Sequence, residues 1–403
     1  MNRFSDTLSV HAGRSELSDL GVHAAPIDFS TTYPLQDLGE AAAELGAMAH
    51  GELPAHNPVY ARLHNPTVAR FEEAMATLEA GDQGVAFASG MAAMTACLMA
   101  AKERGNHIVA LRPVYGGTDH LLASGLLGLE VDWATEETLS SVCRPDTALI
   151  IAETPANPSL ALVDIEALVE AAGDIPVLID STFATPVLQN PLALGATLVL
   201  HSATKYLGGH GDVMGGIVVS NEEWAKRLRS VRVATGAVLH PFAGYLLHRG
   251  LQTLGARVRL AQANALALAT RLKTHPFIKK VYYPGFSECD PKCLVQRQMR
   301  GPGAMLAFTV PNYHIAANVM KEVKLLTPAV SLGSVDTLIQ HPASLTHQVV
   351  ADDVKDELGI TDGLLRVSVG LENPDDLWSD LEQALRSAED NTMPPMLRVV
   401  GLS

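Results

Sequence analysis

Lys205 stands three residues after the hydroxyl of Ser202 and one after that of Thr204. It then runs into a turn made of Gly208, Gly209, His210, Gly211 and Asp212. Upstream, Asp180 closes the apolar run Val177-Leu178-Ile179. Amine, hydroxyls and carboxylate have complementary uses. A lysine amine forms a Schiff base with an aldehyde, hydroxyls hold a phosphate, and a carboxylate faces a protonated pyridine nitrogen. The set fits pyridoxal 5'-phosphate (PLP) and directs the chemistry toward amino acids.

Other residues join this group, each with a structural alternative. Ser89-Gly90-Met91 lies between an apolar strand-like run and a helical one. Its backbone N–H groups suit an anion, aided by the helix dipole; a plain turn explains it as well. A buried Asp180 needs a partner, which a helix cap or salt bridge would also supply. Tyr115 precedes Gly116-Gly117 and suits stacking on a flat cofactor, or is an ordinary tyrosine. The glycines of 208–216 do not sit between strand and helix as a dinucleotide fingerprint requires. His341 and His347 lack a third ligand and read as a loop lining a pocket. Cys289 and Cys293 lack the second ligand pair of a zinc site, so no metal is expected. Cys97 and Cys143 read as structural. Four cysteines in 403 residues do not make a disulfide framework.

The elements that must position these residues follow an alternating pattern. Apolar runs at 85–88, 108–111, 148–152, 177–179, 198–200 and 217–219 read as strands. Runs at 91–101, 118–127 and 165–172 read as helices. That alternation implies crossover connections and a mostly parallel, buried sheet. Before it, 67–80 forms a helix with Phe71, Met75 and Leu78 on one face. A long Ala/Leu/Arg helix is expected over 246–272. Strands at 304–310 and 364–369, with helices at 314–323 and 375–387, suggest a smaller α+β domain. The expected organisation is an irregular N-terminal arm over 1–60 contacting a neighbouring subunit, a PLP-binding α/β domain over 61–250, and a C-terminal α+β domain over 251–403.

Composition bounds the rest. The net charge of −15 argues against a nucleic-acid partner. Residues 1–11 lack the apolar core of a secretory signal, and no run reaches the ~18 apolar residues of a membrane span. A cytoplasmic protein with no membrane partner is expected.

Taken together, the motifs resemble the PLP-dependent enzymes of cysteine and methionine metabolism. This family includes cystathionine γ-lyase, cystathionine γ-synthase, methionine γ-lyase and O-acetylhomoserine sulfhydrylase. The resemblance covers nearly the whole chain. Besides 202–212 it rests on Tyr60-Ala61-Arg62 leading to Asn65-Pro66-Thr67, Ser89-Gly90-Met91-Ala92-Ala93 and Tyr115-Gly116-Gly117-Thr118. It also includes Glu153-Thr154-Pro155-Ala156-Asn157-Pro158 and Ser331-Leu332-Gly333. The resemblance implies a fold-type I, aspartate-aminotransferase-like α/β domain plus a smaller C-terminal domain, in a homotetramer of dimers that share active sites. By residue, it implies that Lys205 forms the Schiff base and moves protons, while Asp180 pairs with the pyridine nitrogen. Tyr115 stacks on the ring and relays a proton. Gly90, Met91, Ser202 and Thr204 hold the phosphate. Tyr60 and Arg62 reach the phosphate of a neighbouring subunit's cofactor, with Tyr60 also at the substrate. Asn157 touches the cofactor's ring oxygen. Arg366 takes the substrate carboxylate through a bidentate pair, supported by Ser331.

Within the family, enzymes that handle cystathionine commonly carry a glutamate just before the serine of the 331 loop. Here it is Val330, an apolar wall. Methionine γ-lyases often place a cysteine where this chain has Gly117, and Arg232-Val233-Ala234-Thr235-Gly236 lacks their lysine-aspartate pair. The expected reaction is γ-elimination on methionine or cystathionine, giving 2-oxobutanoate, ammonia and a thiol product. The alternatives are γ-replacement, as in a cystathionine γ-synthase or O-acetylhomoserine sulfhydrylase, and a non-catalytic assembly protein on the same fold.

Overall fold

A computed structural model describes residues 5–390. Residues 1–4 of the expected arm and 391–403 of the expected C-terminal domain lie outside the described residues. The chain forms two compact units. The first contains the chain up to Arg112 with Leu121–Thr154 and Val163–Ala256; the second contains Pro113–His120, Pro155–Leu162 and the chain from Arg257 onward.

The first unit is built on seven strands: β1 (Gln83–Phe87), β2 (His107–Leu111), β3 (Glu130–Ala134), β4 (Thr147–Glu153), β5 (Val177–Asp180), β6 (Leu198–His201) and β7 (Gly216–Ser220). Their order is β1-β7-β6-β5-β4-β2-β3. The pairs from β6 through to β3 are parallel, whereas β7 runs antiparallel to both β6 and β1. Every residue of β2, β4, β6 and β7 is buried. Such strands, covered on both faces, read as continuous apolar runs rather than alternating ones. One core contains Phe87, Leu98, Ile108, Leu149 and Leu178; another contains Val109, Ile150, Ile165 and Ile179.

Local chemistry sets the helix starts. Asn65 accepts from the amides of Thr67 and Val68, with Pro66 in the first turn of the Pro66–Glu79 helix. Ser89 accepts from Ala92 N at 3.1 Å and opens the Gly90–Ala101 helix. Both follow the preference for small polar caps, and the first adds proline in the first turn.

The second unit has five strands: β8 (Lys280–Tyr282), β9 (Met305–Thr309), β10 (Thr327–Pro328), β11 (Leu338–Gln340) and β12 (Leu364–Ser368), ordered β10-β11-β12-β9-β8. Helices Tyr313–Glu322 and Pro374–Asp390 accompany the sheet.

Two expectations are corrected here. Residues 1–60 are not uniformly irregular: Ser5 caps a helix over Asp6–His11, and Asp37 caps one over Leu38–Ala49. The segment is also tied to its own unit, with Asp28 N donating to Thr67 Oγ1 at 2.8 Å and Arg70 Nη1 to Pro26 O at 3.0 Å. The long helix over 246–272 is two helices, Pro241–Leu251 and Leu254–Thr274. At the break, Gln252 N and Thr253 N bond three residues back, to Arg249 O and Gly250 O, the tightening common at helix ends. Among the described residues, no helix is long and apolar enough to cross a membrane.

Candidate cofactor and substrate-binding sites

Sheet order gathers the first unit's candidates at adjacent strand ends. Asp180 closes β5 and pairs in register with Leu200 of β6; His201 closes β6 and pairs with Ile217 of β7; Phe87 closes β1 opposite Gly216. The C-terminal ends of β5, β6 and β1 therefore lie along one edge of the sheet. In open α/β sheets this is where ligands bind.

The phosphate-compatible part is shaped by close approach. A Cβ on Gly90 would sit 2.9 Å from Ser202 Cβ and 3.0 Å from its Oγ. A Cβ on Gly216 would lie 2.2 Å from Ser89 O. The start of the Gly90–Ala101 helix is thus pressed against the residue that follows β6. Helix-start amides and the Ser202 hydroxyl share one small region, the donor set an anion needs. Thr204 works more locally. Its Oγ1 donates to Gly215 O at 3.2 Å and accepts from Gly215 N at 3.1 Å, closing the loop that contains Lys205. Lys205 itself is half-buried, its amide donating to Ser202 O and its carbonyl accepting from Gly209 N. Gly209 has φ +76°, a conformation open to glycine at little cost.

Asp180 Oδ1 accepts from Thr182 N at 3.0 Å and from Thr182 Oγ1 at 2.5 Å. The same hydroxyl accepts from Ser202 N at 2.9 Å. Thr182, which sequence reasoning passed over, therefore links the carboxylate of β5 to the end of β6. Burial raises the Asp180 pKa above the ordinary carboxylate range, opposed by the Thr182 bonds and the charge of His201. A buried carboxyl with this bias is stabilised by a cationic partner, and a protonated pyridine nitrogen is one. Carboxylate, amine, hydroxyl and helix-start amides on one sheet edge fit PLP.

In the second unit, Arg366 lies on β12 and is 2% exposed. Its Nη1 donates to Asn157 Oδ1 at 2.8 Å and its Nη2 to Ser331 O at 2.7 Å. Gln340 faces it from the register position on β11; with the amide oxygen turned toward the guanidinium, Arg366 nitrogens lie 2.9–3.1 Å away. Ser331 has φ +88°, which aims its carbonyl in a strained turn. Gln340 is a second residue missed from sequence; its signal is its alignment opposite an arginine, visible only once the strands pair. Tyr115 is 40% exposed and precedes the Gly116–Ala123 helix, whose first glycine is held against Thr346: a Cβ there would meet Thr346 O at 2.2 Å. Val330 is exposed. His347 is buried, and burial, with the charge of Arg366 second, pushes its pKa down to about 4.

Tyr60 and Arg62 belong to the first unit. Tyr60 is exposed and bridges to Thr32; Arg62 Nη1 donates to Val233 O at 2.6 Å, its guanidinium 5.6 Å from the Tyr60 ring.

A family model described as Cys/Met metabolism PLP-dependent enzyme matches residues 6–386. The chain belongs to that family. Its members' cofactor, PLP, is the one the strand-end residues fit. An L-methionine gamma-lyase of Brevibacterium sandarakinum is 55% identical over 384 residues, covering 94% of this chain and 97% of that protein. A cystathionine gamma-lyase of Bacillus subtilis is 40% identical, covering 94% and 99%. A solved cystathionine gamma synthase from Xanthomonas oryzae pv. oryzae, in complex with aminoacrylate and cysteine, superposes with a TM-score of 0.88 at 35% identity. That match covers 95% of this chain and 98% of that one. The fold is the fold-type I, aspartate-aminotransferase-like architecture expected from the sequence, with its mostly parallel sheet.

Proposed function

We propose that the chain is a PLP-dependent carbon–sulfur lyase acting by γ-elimination, with methionine as its preferred substrate. The observation that carries this reading is the 55% identity to an L-methionine gamma-lyase along nearly the full length of both chains. Val330, apolar where a cystathionine-handling enzyme would offer a carboxylate, supports it. Gly117 and the missing lysine-aspartate pair do not outweigh similarity of that extent. The overall change is methionine plus water to 2-oxobutanoate, methanethiol and ammonia.

Bound PLP supplies an electron sink next to the substrate's α-carbon. In this reading the chain's residues do the rest. Arg366 holds the substrate carboxylate, oriented by Asn157, Ser331 and Gln340. The Lys205 amine takes the α-proton and returns protons later in the cycle. Tyr115 hands a proton to the departing sulfur, so that a thiol rather than a thiolate leaves. Asp180 would accept from the pyridine nitrogen, Gly90, Met91 and Ser202 would support the phosphate, and Thr204 holds the loop that contains Lys205. Tyr60 and Arg62 reach a neighbouring subunit's cofactor in a homotetramer of dimers, in the cytoplasm.

γ-Replacement is the second reading, favoured by the likeness to a cystathionine gamma synthase. Purified enzyme is incubated separately with methionine, cystathionine, homocysteine and O-acetylhomoserine, with and without sulfide. The expected result is 2-oxobutanoate and methanethiol from methionine without an added thiol. Product from the acetylated substrate alone, or transfer to sulfide alone, overturns the lyase reading.

A further inference from the structure

One hydroxyl at the Arg366 site has no part in the proposed chemistry. Gln340, Thr346, His347 and Arg366 all belong to the second unit, as does Gly116. With its amide oxygen turned toward the guanidinium, Gln340 lies 3.1 Å from Arg366 Nε, 3.0 Å from Nη1 and 2.9 Å from Nη2. A point nearly equidistant from all three nitrogens lies over the face of the planar guanidinium, outside the plane of its N–H groups. The oxygen therefore attracts the charge from one side. It does not occupy the N–H edges, which serve Asn157 Oδ1 and Ser331 O and, in the proposed function, the substrate carboxylate.

An amide can also present its NH2 group, which would set donors against donors at Arg366. Thr346 selects between the two orientations. The same Gln340 oxygen lies 3.2 Å from Thr346 Oγ1, and His347 Nδ1 lies 3.0 Å from that hydroxyl. Burial pushes the His347 pKa down to about 4, so the imidazole is neutral and carries one N–H. The hydroxyl has one proton to give. Both contacts are hydrogen bonds in one arrangement: His347 Nδ1–H donates to Thr346 Oγ1, and the Thr346 O–H donates to the Gln340 oxygen. The peptide that presents this hydroxyl is held in place. A Cβ on Gly116 would lie 2.2 Å from Thr346 O, and His347 N donates to Pro342 O at 3.0 Å. A fixed backbone gives the hydroxyl a fixed direction.

We propose that Thr346 is a positioning residue for recognition of the substrate carboxylate: its hydroxyl locks the Gln340 amide with the oxygen over Arg366, which holds the guanidinium with its N–H edges toward Asn157, Ser331 and the carboxylate. The inference rests on the reading of Arg366 as the carboxylate-binding residue. Without the hydroxyl, the Gln340 amide is free to turn its NH2 toward the guanidinium, and that state pushes the group out of line. Only a ligand that carries a carboxylate feels the difference.

The test titrates the cofactor absorbance of the PLP-loaded enzyme with norleucine and with pentylamine. Norleucine has methionine's chain length and no sulfur to expel, and pentylamine is norleucine without its carboxylate. The ratio of their Kd values reads carboxylate recognition alone and needs no turnover. Thr346→Val keeps the shape and the backbone carbonyl but removes the hydroxyl. It is expected to weaken norleucine by about two- to tenfold, the worth of one neutral hydrogen bond, and to leave pentylamine unchanged. Thr346→Ser keeps the hydroxyl and is expected to keep the wild-type ratio. Gln340→Leu should reproduce the loss, and adding Thr346→Val to it should cost less than a further twofold, because the two act through one contact. A ratio within twofold of wild type in Thr346→Val or in Gln340→Leu overturns the proposal, so either variant decides if the other does not fold. Equal weakening of both ligands, as general loosening would give, also overturns it, as does a serine variant that behaves like the valine one. A wild-type ratio in Arg366→Gln defeats the carboxylate assignment itself. A collapsed ratio there with an unmoved one in Thr346→Val defeats only the role of Thr346.

Discussion

Replacing Asn157 by alanine separates two roles that the sequence alone leaves merged. The family resemblance assigns Asn157 to the cofactor's ring oxygen, yet its Oδ1 accepts from Arg366 Nη1 at 2.8 Å. Arg366 is 2% exposed, so water does not readily replace a lost acceptor. A hydrogen bond to a charged group is worth about 1.5–3 kcal/mol, or roughly 10- to 150-fold in an equilibrium. Ser331 O still holds Nη2 at 2.7 Å and Gln340 still faces the guanidinium, so the group stays in place while Nη1 loses one of its acceptors. Asn157→Ala is therefore expected to raise KM for methionine by about that factor, with a smaller fall in kcat and unchanged PLP retention. The assay is steady-state release of 2-oxobutanoate alongside ultrafiltration of the holoenzyme. A KM within about twofold of wild type refutes the argument. An intact KM with lost PLP returns Asn157 to the cofactor.

Three further outcomes are expected. Gly216→Ala places a Cβ 2.2 Å from Ser89 O and 2.8 Å from Gly90 N; overpacking of this kind costs about 1–3 kcal/mol, so calorimetry should show a lower Tm, and an unchanged Tm contradicts the close approach. His347, with its pKa pushed down to about 4, is neutral when folded and protonates more readily when unfolded. Its stabilisation is complete above about pH 6.5 and is lost as pH falls toward 4, about 3 kcal/mol in all. His347→Gln should flatten the decline of denaturant stability across that window; identical slopes for variant and wild type would contradict the assignment. Val330→Glu should raise the ratio of cystathionine to methionine turnover by roughly fivefold, the worth of one partly exposed ion pair of ~1 kcal/mol; a ratio that does not move removes Val330 from the substrate wall.

The inner strands of the central sheet were legible because they are buried on both faces. Their apolar runs at 108–111, 148–152 and 177–179 match β2, β4 and β5 closely. β3 was missed because Glu130, Asp132 and Trp133 break the run in an edge strand that is only partly buried. β10 and β11 span two and three residues, too short for any periodicity. The Glu222–Thr235 helix is rich in charge, and its cap at Asn221 gives a weaker signal than an apolar stripe. Among the candidate site residues, Lys205, Asp180 and Gly90 stand out in the sequence because their types fall at or just after strand ends. Thr182 and Gln340 do not. Each acts through a neighbour brought to it by strand pairing: Asp180 and the end of β6 for Thr182, Arg366 for Gln340.

The pairing of β1 with β7 has a bearing on the order in which this protein is made. Gln83 meets Ser220 and Phe87 meets Gly216, contacts between residues far apart along the chain. β7 also lies between β1 and β6 and joins them. During synthesis, Ser89 leaves the ribosome early and waits for its close neighbour Gly216 until β7 has followed. The parallel pairs β2–β3, β2–β4, β4–β5 and β5–β6 need nothing later than His201, so most of the sheet is free to assemble first. The residues proposed to hold the phosphate meet Gly216 only when β7 joins the sheet, so a nascent chain stalled before Gly216 has Lys205 and Asp180 but lacks this close approach.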